Sequence, residues 1–432
     1  MSQSSFRIEK VFGREILDSR GNPTVQVDIT TRSGFGRFSV PSGASKGRFE
    51  AVELRDDDRQ RYHGKGVLKA VDNVNHVLGP RIIGLDSRNQ EEVDRVLIDL
   101  DGSPDKSRLG ANALLGVSIA TAKSAADSQR IPFYRHLGFK QPRLTLPMPM
   151  LNILNGGKHA GNDLAFQEFM VLPAGFKSFH GALRCGVEIY QSLKERLESK
   201  YGRSAVNVGD EGGFAPPIEN VEEALDNVSD SVEEAGYELG RNVILGIDPA
   251  PDNFYDPKKE VYLVNGKEMT GDQLLEYYQL LLESYALRSI EDPFHDESFD
   301  YYAKITRINS RVQIVGDDLY VTNTKRLEKG IRLKAGNALL VKPNQVGTLT
   351  ETIEAIEKAK SAGFGLVMSH RSGETEDYAI ADLAVGLATG QIKAGAPARG
   401  ERTVKYNRLV EIEQELGSGA AYYGPEFLKQ HD

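Results

Sequence analysis

The stretch Ala338-Leu339-Leu340-Val341-Lys342-Pro343-Asn344-Gln345 decides the fold. Four apolar residues without alternation fit a strand buried on both faces, as in a parallel sheet. Pro343 cannot donate to the ladder, so the strand stops there. An ammonium group then sits at a dry strand end, unlike a helix-face lysine whose head stays in water. Burial favours loss of its proton, which makes Lys342 a candidate base.

The same pattern recurs on both sides. The run 243–247 leads into Asp248, 287–290 into Glu291 and Asp292, and 312–316 into Asp317 and Asp318. The run 364–369 leads into His370 and Arg371, and 391–392 into Lys393. From Glu291 onward the polar ends are 23 to 28 residues apart, about the length of one strand, one helix and two short loops. An insertion at 252–272, with the turn pairs Asp256-Pro257 and Asn265-Gly266, widens the first gap. Helices are predicted over 271–285, 323–334, 348–362 and 375–388. Successive strand–helix units with polar strand ends describe a (β/α)8 barrel with its site on the C-terminal face.

Upstream, 150–154 and 167–173 read as two further strands, the second carrying Glu168. Two helices follow, near 178–201 and 220–235, with the acidic glycine-rich loop Gly209-Asp210-Glu211-Gly212-Gly213 between them. Eight strands result, in an irregular order. Residues 6–38 alternate as an antiparallel meander, followed by helical patterns over 67–78, 89–99 and 111–127. The fold class is α/β: an irregular (β/α)8 TIM-like barrel over 144–432 with an N-terminal α+β capping domain over 1–143. The proline-rich stretch 141–149 is the linker.

The chain has 432 residues and a formal net charge of −9, which argues against nucleic acid as a main partner. Its single cysteine, Cys185, excludes a disulfide framework and a cysteine zinc site. The N-terminus has no apolar leader, and no long apolar run appears, so a cytoplasmic protein without signal peptide or transmembrane segment is expected.

Asp248, Glu291 and Asp317 occupy three successive strand ends, which barrel closure brings together. Three anions there call for a cation, and an all-oxygen set suits Mg2+ better than Zn2+. A lysine base beside Mg2+ can take a proton from the carbon next to a carboxylate, because the metal stabilises the charge that develops. A neighbouring cation, Lys393 or the metal, is expected to keep Lys342 neutral. Glu211 and Glu168 form a candidate carboxylate pair for acid catalysis. Arg371 and Lys393 are candidates to hold phosphate or carboxylate. The remaining histidines, His295 among them, read as surface or packing residues. Gly43-Ala44-Ser45-Lys46-Gly47 also matches the serine-hydrolase elbow but lacks its strand–helix context.

Eight motifs together resemble the enolase family: SGAS at Ser42, GGKHAGN at Gly156, QEFM at Gln167, GDEGG at Gly209, SIEDPF at Ser289, GDDL at Gly316, SHRSGETED at Ser369 and GQIKAGAPARGER at Gly390. The resemblance covers about 14–416. It implies reversible dehydration of 2-phosphoglycerate to phosphoenolpyruvate, with two Mg2+ per site. By motif, Lys342 is the base, Glu211 the acid and Glu168 its support. Asp248, Glu291 and Asp317 are implied ligands of the first Mg2+, and Ser45 closes onto the second. His159, Gln167, Glu168, His370, Arg371, Ser372 and Lys393 are implied substrate contacts. A homodimer or octamer is implied, and the family's binding of other proteins finds no feature here. The chain departs from the family pattern at Lys46, at Pro249-Ala250-Pro251-Asp252, at Pro343 and at Tyr378. The alternatives are another dehydratase of the superfamily and a non-catalytic binding protein on the same body.

Overall fold

Three strands open the chain: β1 (Ile8–Leu17), β2 (Pro23–Thr31) and β3 (Phe35–Ser39), paired as an antiparallel meander. The computed structural model describes residues 3–43, 47–138, 141 and 143–431, without the side chains of Gln3, Ser4, Lys158 and His159. Ser45 and Lys46 fall outside the described residues. Val25, Val27 and Ile29 of β2 alternate into the core, as period-two patterning requires. The meander packs on α2 (Ala111–Gln129), a helix buried on almost every side. Its small residues let the sheet come close. A Cβ on Gly36 of β3 would stand 2.0 Å from the Ala120 carbonyl oxygen. Alongside lies α1 (Gln90–Asp101). The pattern over 67–78 becomes helix Leu68–Asp72, a π-helical stretch Asn73–Leu78 and helix Gly79–Ile82. Pro80 lacks the N–H that a regular turn would use there.

The eight barrel strands are β4 (Met148–Asn155), β5 (Glu168–Leu172), β6 (Ile244–Asp248), β7 (Leu287–Glu291), β8 (Gln313–Gly316), β9 (Ala338–Val341), β10 (Gly365–Ser369) and β11 (Gly390–Lys393). They close in the order β7-β8-β9-β10-β11-β4-β5-β6. Every residue of β9 is buried, as its unbroken apolar run demands. The strand–helix alternation fails at one place: β5 runs antiparallel to both β4 and β6. The connection 156–167 carries only the short helix Gly157–Ala160. It makes no crossover, and without one the next strand returns in the opposite sense.

Two helices, α3 (Phe179–Tyr201) and α4 (Val221–Glu234), follow β5. Further on, α5 (Gly271–Ser284), α6 (Phe299–Ile308), α7 (Thr324–Leu333), α8 (Leu349–Ser361), α9 (Ala379–Gly386) and α10 (Gly400–Leu416) cover the barrel. The insertion is a small antiparallel meander of Tyr255–Asp256, Val261–Val264 and Lys267–Met269. The helix expected over 375–388 is shorter. Thr375 Oγ1 accepts from the Asp377 amide, and Asp377 Oδ1 accepts from the Ala379 amide, at 3.2 and 2.8 Å. These side chains hold 375–378 in turns that compete with the helix. Among the described residues, no helix is long and apolar enough to cross a membrane.

Candidate active site

A cavity of about 470 Å³ opens at the C-terminal mouth of the barrel, and its lining includes Gln167, Glu168, Glu211, Asp248, Asp317, Lys342, His370, Arg371, Ser372 and Lys393. Predicted side chains spread from Gln167 to Lys393 in the sequence therefore meet there. Glu291 lies just beneath, wholly buried. Ser45 lies outside the described residues, and the side chain of His159 is not described.

The reversal of β5 explains the position of Glu168. In a parallel barrel the active face takes residues from strand ends, yet Glu168 is the first residue of its strand. Because β5 runs backwards, its start lies at that face, and Glu168 pairs in register with Asp248. Glu211 arrives differently. Its loop docks on β4, where the Phe214 amide donates to the Ile153 carbonyl at 2.9 Å. Asn152 of β4 then donates to Glu211 Oε2 at 3.0 Å.

Lys393 binds the acidic side together. Its Nζ lies 2.8 Å from Glu168 Oε2, 3.1 Å from Asp248 Oδ2 and 2.8 Å from Glu291 Oε2. Burial disfavours its charge, but Asp248, Glu168 and Glu291 outweigh burial and hold it well above the usual lysine range. Burial and then Glu211 push Glu168 well above the usual carboxyl range. Burial and then Asp248 do the same to Glu291. Lys393 was expected to touch substrate; in this structure it is engaged by three carboxylates.

Lys342 Nζ is ion-paired with Asp317 Oδ2. Burial alone would lower its pKa, and Asp317 reverses that, so the ammonium is held above its ordinary value. Arg371 likewise has a partner on the cap: its two terminal nitrogens donate to Glu50 at 3.0 Å.

Behind these groups stand residues the sequence reading did not single out. Asp292 accepts from the backbone amides of Asp317 and Asp318, at 2.9 and 2.7 Å, and from the Tyr302 hydroxyl at 2.8 Å. Gln345 donates to Asp317 Oδ1 at 3.0 Å. Arg402 is completely buried. It donates to His370 Nδ1 at 2.6 Å and to the carbonyls of Arg371 and Asp210 at 2.6 and 2.9 Å. A guanidinium only donates. Nδ1 of His370 must therefore accept, which puts the ring proton on Nε2, 3.5 Å from Glu211 Oε2. Burial lowers His370 to about 4. Asn152 did leave a signal, as a polar residue inside an otherwise apolar strand.

The donor set fits a hard divalent cation. Among the described residues, six carboxyl groups and three cationic side chains line the cavity. Asp248, Glu291 and Asp317 end the neighbouring strands β6, β7 and β8. Among the described residues, the oxygens of Asp292, Asp317 and Asp318 all lie within 4.8 Å of one another. Surplus buried anions supplied only with oxygen donors are the setting that Mg2+-class ions neutralise.

A closed barrel whose mouth gathers lysines and carboxylates under an α+β cap has the layout of a barrel enzyme with its site on the C-terminal face. Comparison with known proteins makes this specific. The family model described as Enolase, C-terminal TIM barrel domain, matches residues 143–431, and that described as Enolase, N-terminal domain, matches 8–137. The chain is 55% identical to a protein named Enolase from Methanocaldococcus jannaschii, over 98% of both chains. It is 53% identical to Enolase from Pyrococcus furiosus over 99% of both, and 55% identical to Enolase from Methanopyrus kandleri over 97% of this chain and 98% of that one. The chain belongs to the enolase family, a family of lyases.

Proposed function

We propose that this chain reversibly dehydrates 2-phospho-D-glycerate to phosphoenolpyruvate, the glycolytic and gluconeogenic hydro-lyase reaction. One observation carries the residue assignment. In the barrel order, β9 and β5 lie four strands apart, diametrically opposed. Lys342 follows β9 and Glu168 begins β5, so a base and a carboxyl acid face each other across one cavity. An elimination that takes a proton from one face and expels a hydroxyl from the other needs that arrangement.

Lys342 Nζ takes the C2 proton, which requires the charge of Asp317 to be engaged elsewhere. Glu211, oriented by Asn152 and His370, gives a proton to the 3-hydroxyl, which leaves as water while the C2–C3 double bond forms. Glu168, whose carboxyl burial and Glu211 push well above the usual range, supports Glu211 in that role. Arg371, Ser372, His370, Gln167, Glu168 and Lys393, with His159, contact the substrate. Asp248, Glu291 and Asp317 would hold one Mg2+ and Ser45 would contribute to a second. When bound, these ions neutralise the carboxylate charge that grows as the proton leaves.

The cap over 1–143 and the barrel over 144–432 act as the two domains of this reading. A homodimer or octamer working in the cytoplasm accords with the family. The test is direct: 2-phosphoglycerate is added and the ultraviolet absorbance of the enol product followed, with Mg2+ and again with a chelator. Metal-dependent turnover is expected. A folded, Mg2+-binding protein that gave none would overturn the proposal.

A further inference from the structure

One guanidinium joins the loop that carries Glu211 to the loop that carries His370. Arg402 sits in the first turn of α10 and is completely buried. That is a costly place for a cation. Burial strips its water, and the start of a helix is the positive end of the dipole. Glu401 answers the charge only from behind, with its Oε1 3.7 Å from Nε. Helix stability alone gives no reason for an arginine there.

Its partners give one. Nη1 donates to His370 Nδ1 and to the Arg371 carbonyl, both at 2.6 Å. Nη2 donates to the Asp210 carbonyl at 2.9 Å and to the Ser372 carbonyl at 2.5 Å. Each terminal nitrogen thus serves two acceptors, three of the four on residues 370–372 and the fourth next to Glu211. A planar fork sets the angles between its partners, which a flexible ammonium does not. The packing leaves no slack: a Cβ on Gly395 would stand 2.9 Å from Arg402 Cδ and 3.2 Å from His370 Cε1.

The consequence falls on the imidazole. With Nδ1 committed as an acceptor, the ring carries its proton on Nε2, 3.5 Å from Glu211 Oε2. The other tautomer would set a lone pair against a carboxylate oxygen and an N–H against the guanidinium. Burial first, and the Arg402 charge with it, oppose protonation of the ring against the pull of Glu211. What faces Glu211 is therefore a neutral N–H donor.

We propose that Arg402 is a positioning residue for the acid side of the reaction: it selects the His370 tautomer that offers an N–H to Glu211, and it keeps the two loops in register. This rests on the dehydration reading above. Proton removal by Lys342, across the cavity, does not depend on it.

Arg402→Lys keeps the charge and loses the fork. The histidine rings of the full chain are labelled with heavy nitrogen for NMR, and the His370 signals are those missing from His370→Gln. The wild type is expected to show one neutral tautomer, protonated on Nε2, and Arg402→Lys to populate the other. With 2-phosphoglycerate and Mg2+, Arg402→Lys is expected to lose about 10²-fold in dehydration, while the C2 proton still exchanges with heavy water near the wild-type rate. Equal loss of both reactions is what plain structural damage gives, and it overturns the proposal. So does unchanged dehydration or an unchanged tautomer in the variant. Should Arg402→Lys fail to fold by circular dichroism, the wild-type ring decides alone: a proton on Nδ1, or a mixture, overturns the proposal. Absence of turnover in the wild type would instead overturn the dehydration reading, and the ring spectra would still report the tautomer.

Discussion

Lys342 meets two conflicting demands. As a base it must be neutral, yet Asp317 holds it charged. On the proposed mechanism the conflict is resolved when Asp317 serves another cation, so readiness of the base would follow filling of the acidic site. Lys342→Ala is expected to lower turnover by at least about 10²–10⁴-fold, with Mg2+ binding retained by calorimetry; persistent activity would remove the base assignment. Glu211→Gln is expected to keep exchanging the C2 proton with solvent, followed by NMR in heavy water, while losing dehydration. His370 gives a pH signature. Burial lowers it to about 4 from an ordinary 6.5, so the unfolded chain binds the extra proton first. Its stability contribution is complete above pH 6.5 and is lost as pH falls towards 4, on the order of 3 kcal/mol. His370→Gln should show a flatter pH dependence of urea unfolding over that window. Equal slopes would mean that the ring is not held neutral.

At the scale of elements, the sheet and α2 of the cap are set by close approach. Gly36→Ala would drive a methyl group into the backbone of Ala120 and Ser124. The expected loss is about 1–3 kcal/mol, measured as a lower urea midpoint with unchanged slope. The strand ends were legible in the sequence because buried runs stop at charged groups: Asp248 and Lys342 are the first polar residues after unbroken apolar runs, and Glu291, Asp317 and Lys393 close runs that contain one or two buried polar residues. The direction of β5 was not legible: Gln167-Glu168-Phe169-Met170-Val171-Leu172 is equally apolar read either way. Nor was Arg402, which reaches the site from the first turn of α10. Its helical neighbours give no sign that it points inward, and its partners are mostly backbone carbonyls, which carry no sequence signal. The pairing of Lys342 with Asp317 also lies beyond pattern reading, because it depends on the distance between adjacent strand ends.

For the whole molecule, cap and barrel share one helix end. The Leu349 and Thr350 amides, in the first turn of α8, donate to Ser118 Oγ and Asp94 Oδ2 of the cap, both at 2.9 Å. Lys106 of the cap pairs with Glu351 at 2.7 Å. Free N–H groups at a helix start must find partners; the other domain supplies two of them, and Thr348 Oγ1 accepts from the Glu351 amide at 3.2 Å. Asp94→Ala should cost about 1–3 kcal/mol. It should also split one calorimetric transition into two, since the barrel helix loses a cap that only the docked domain provides. A single unshifted transition would show that the docking does not depend on it.

The reversed strand has a mechanical result as well. Because β5 turns back, the segment 156–167 leaves the mouth and comes home to it. The Gly156 amide ties its neck to the Gln167 carbonyl at 2.9 Å. Midway along, Asn162 Nδ2 donates to the Asn155 and Pro216 carbonyls at 3.3 and 2.8 Å. The segment is thus moored twice, at its neck and at its waist, and both moorings are to elements of the barrel mouth.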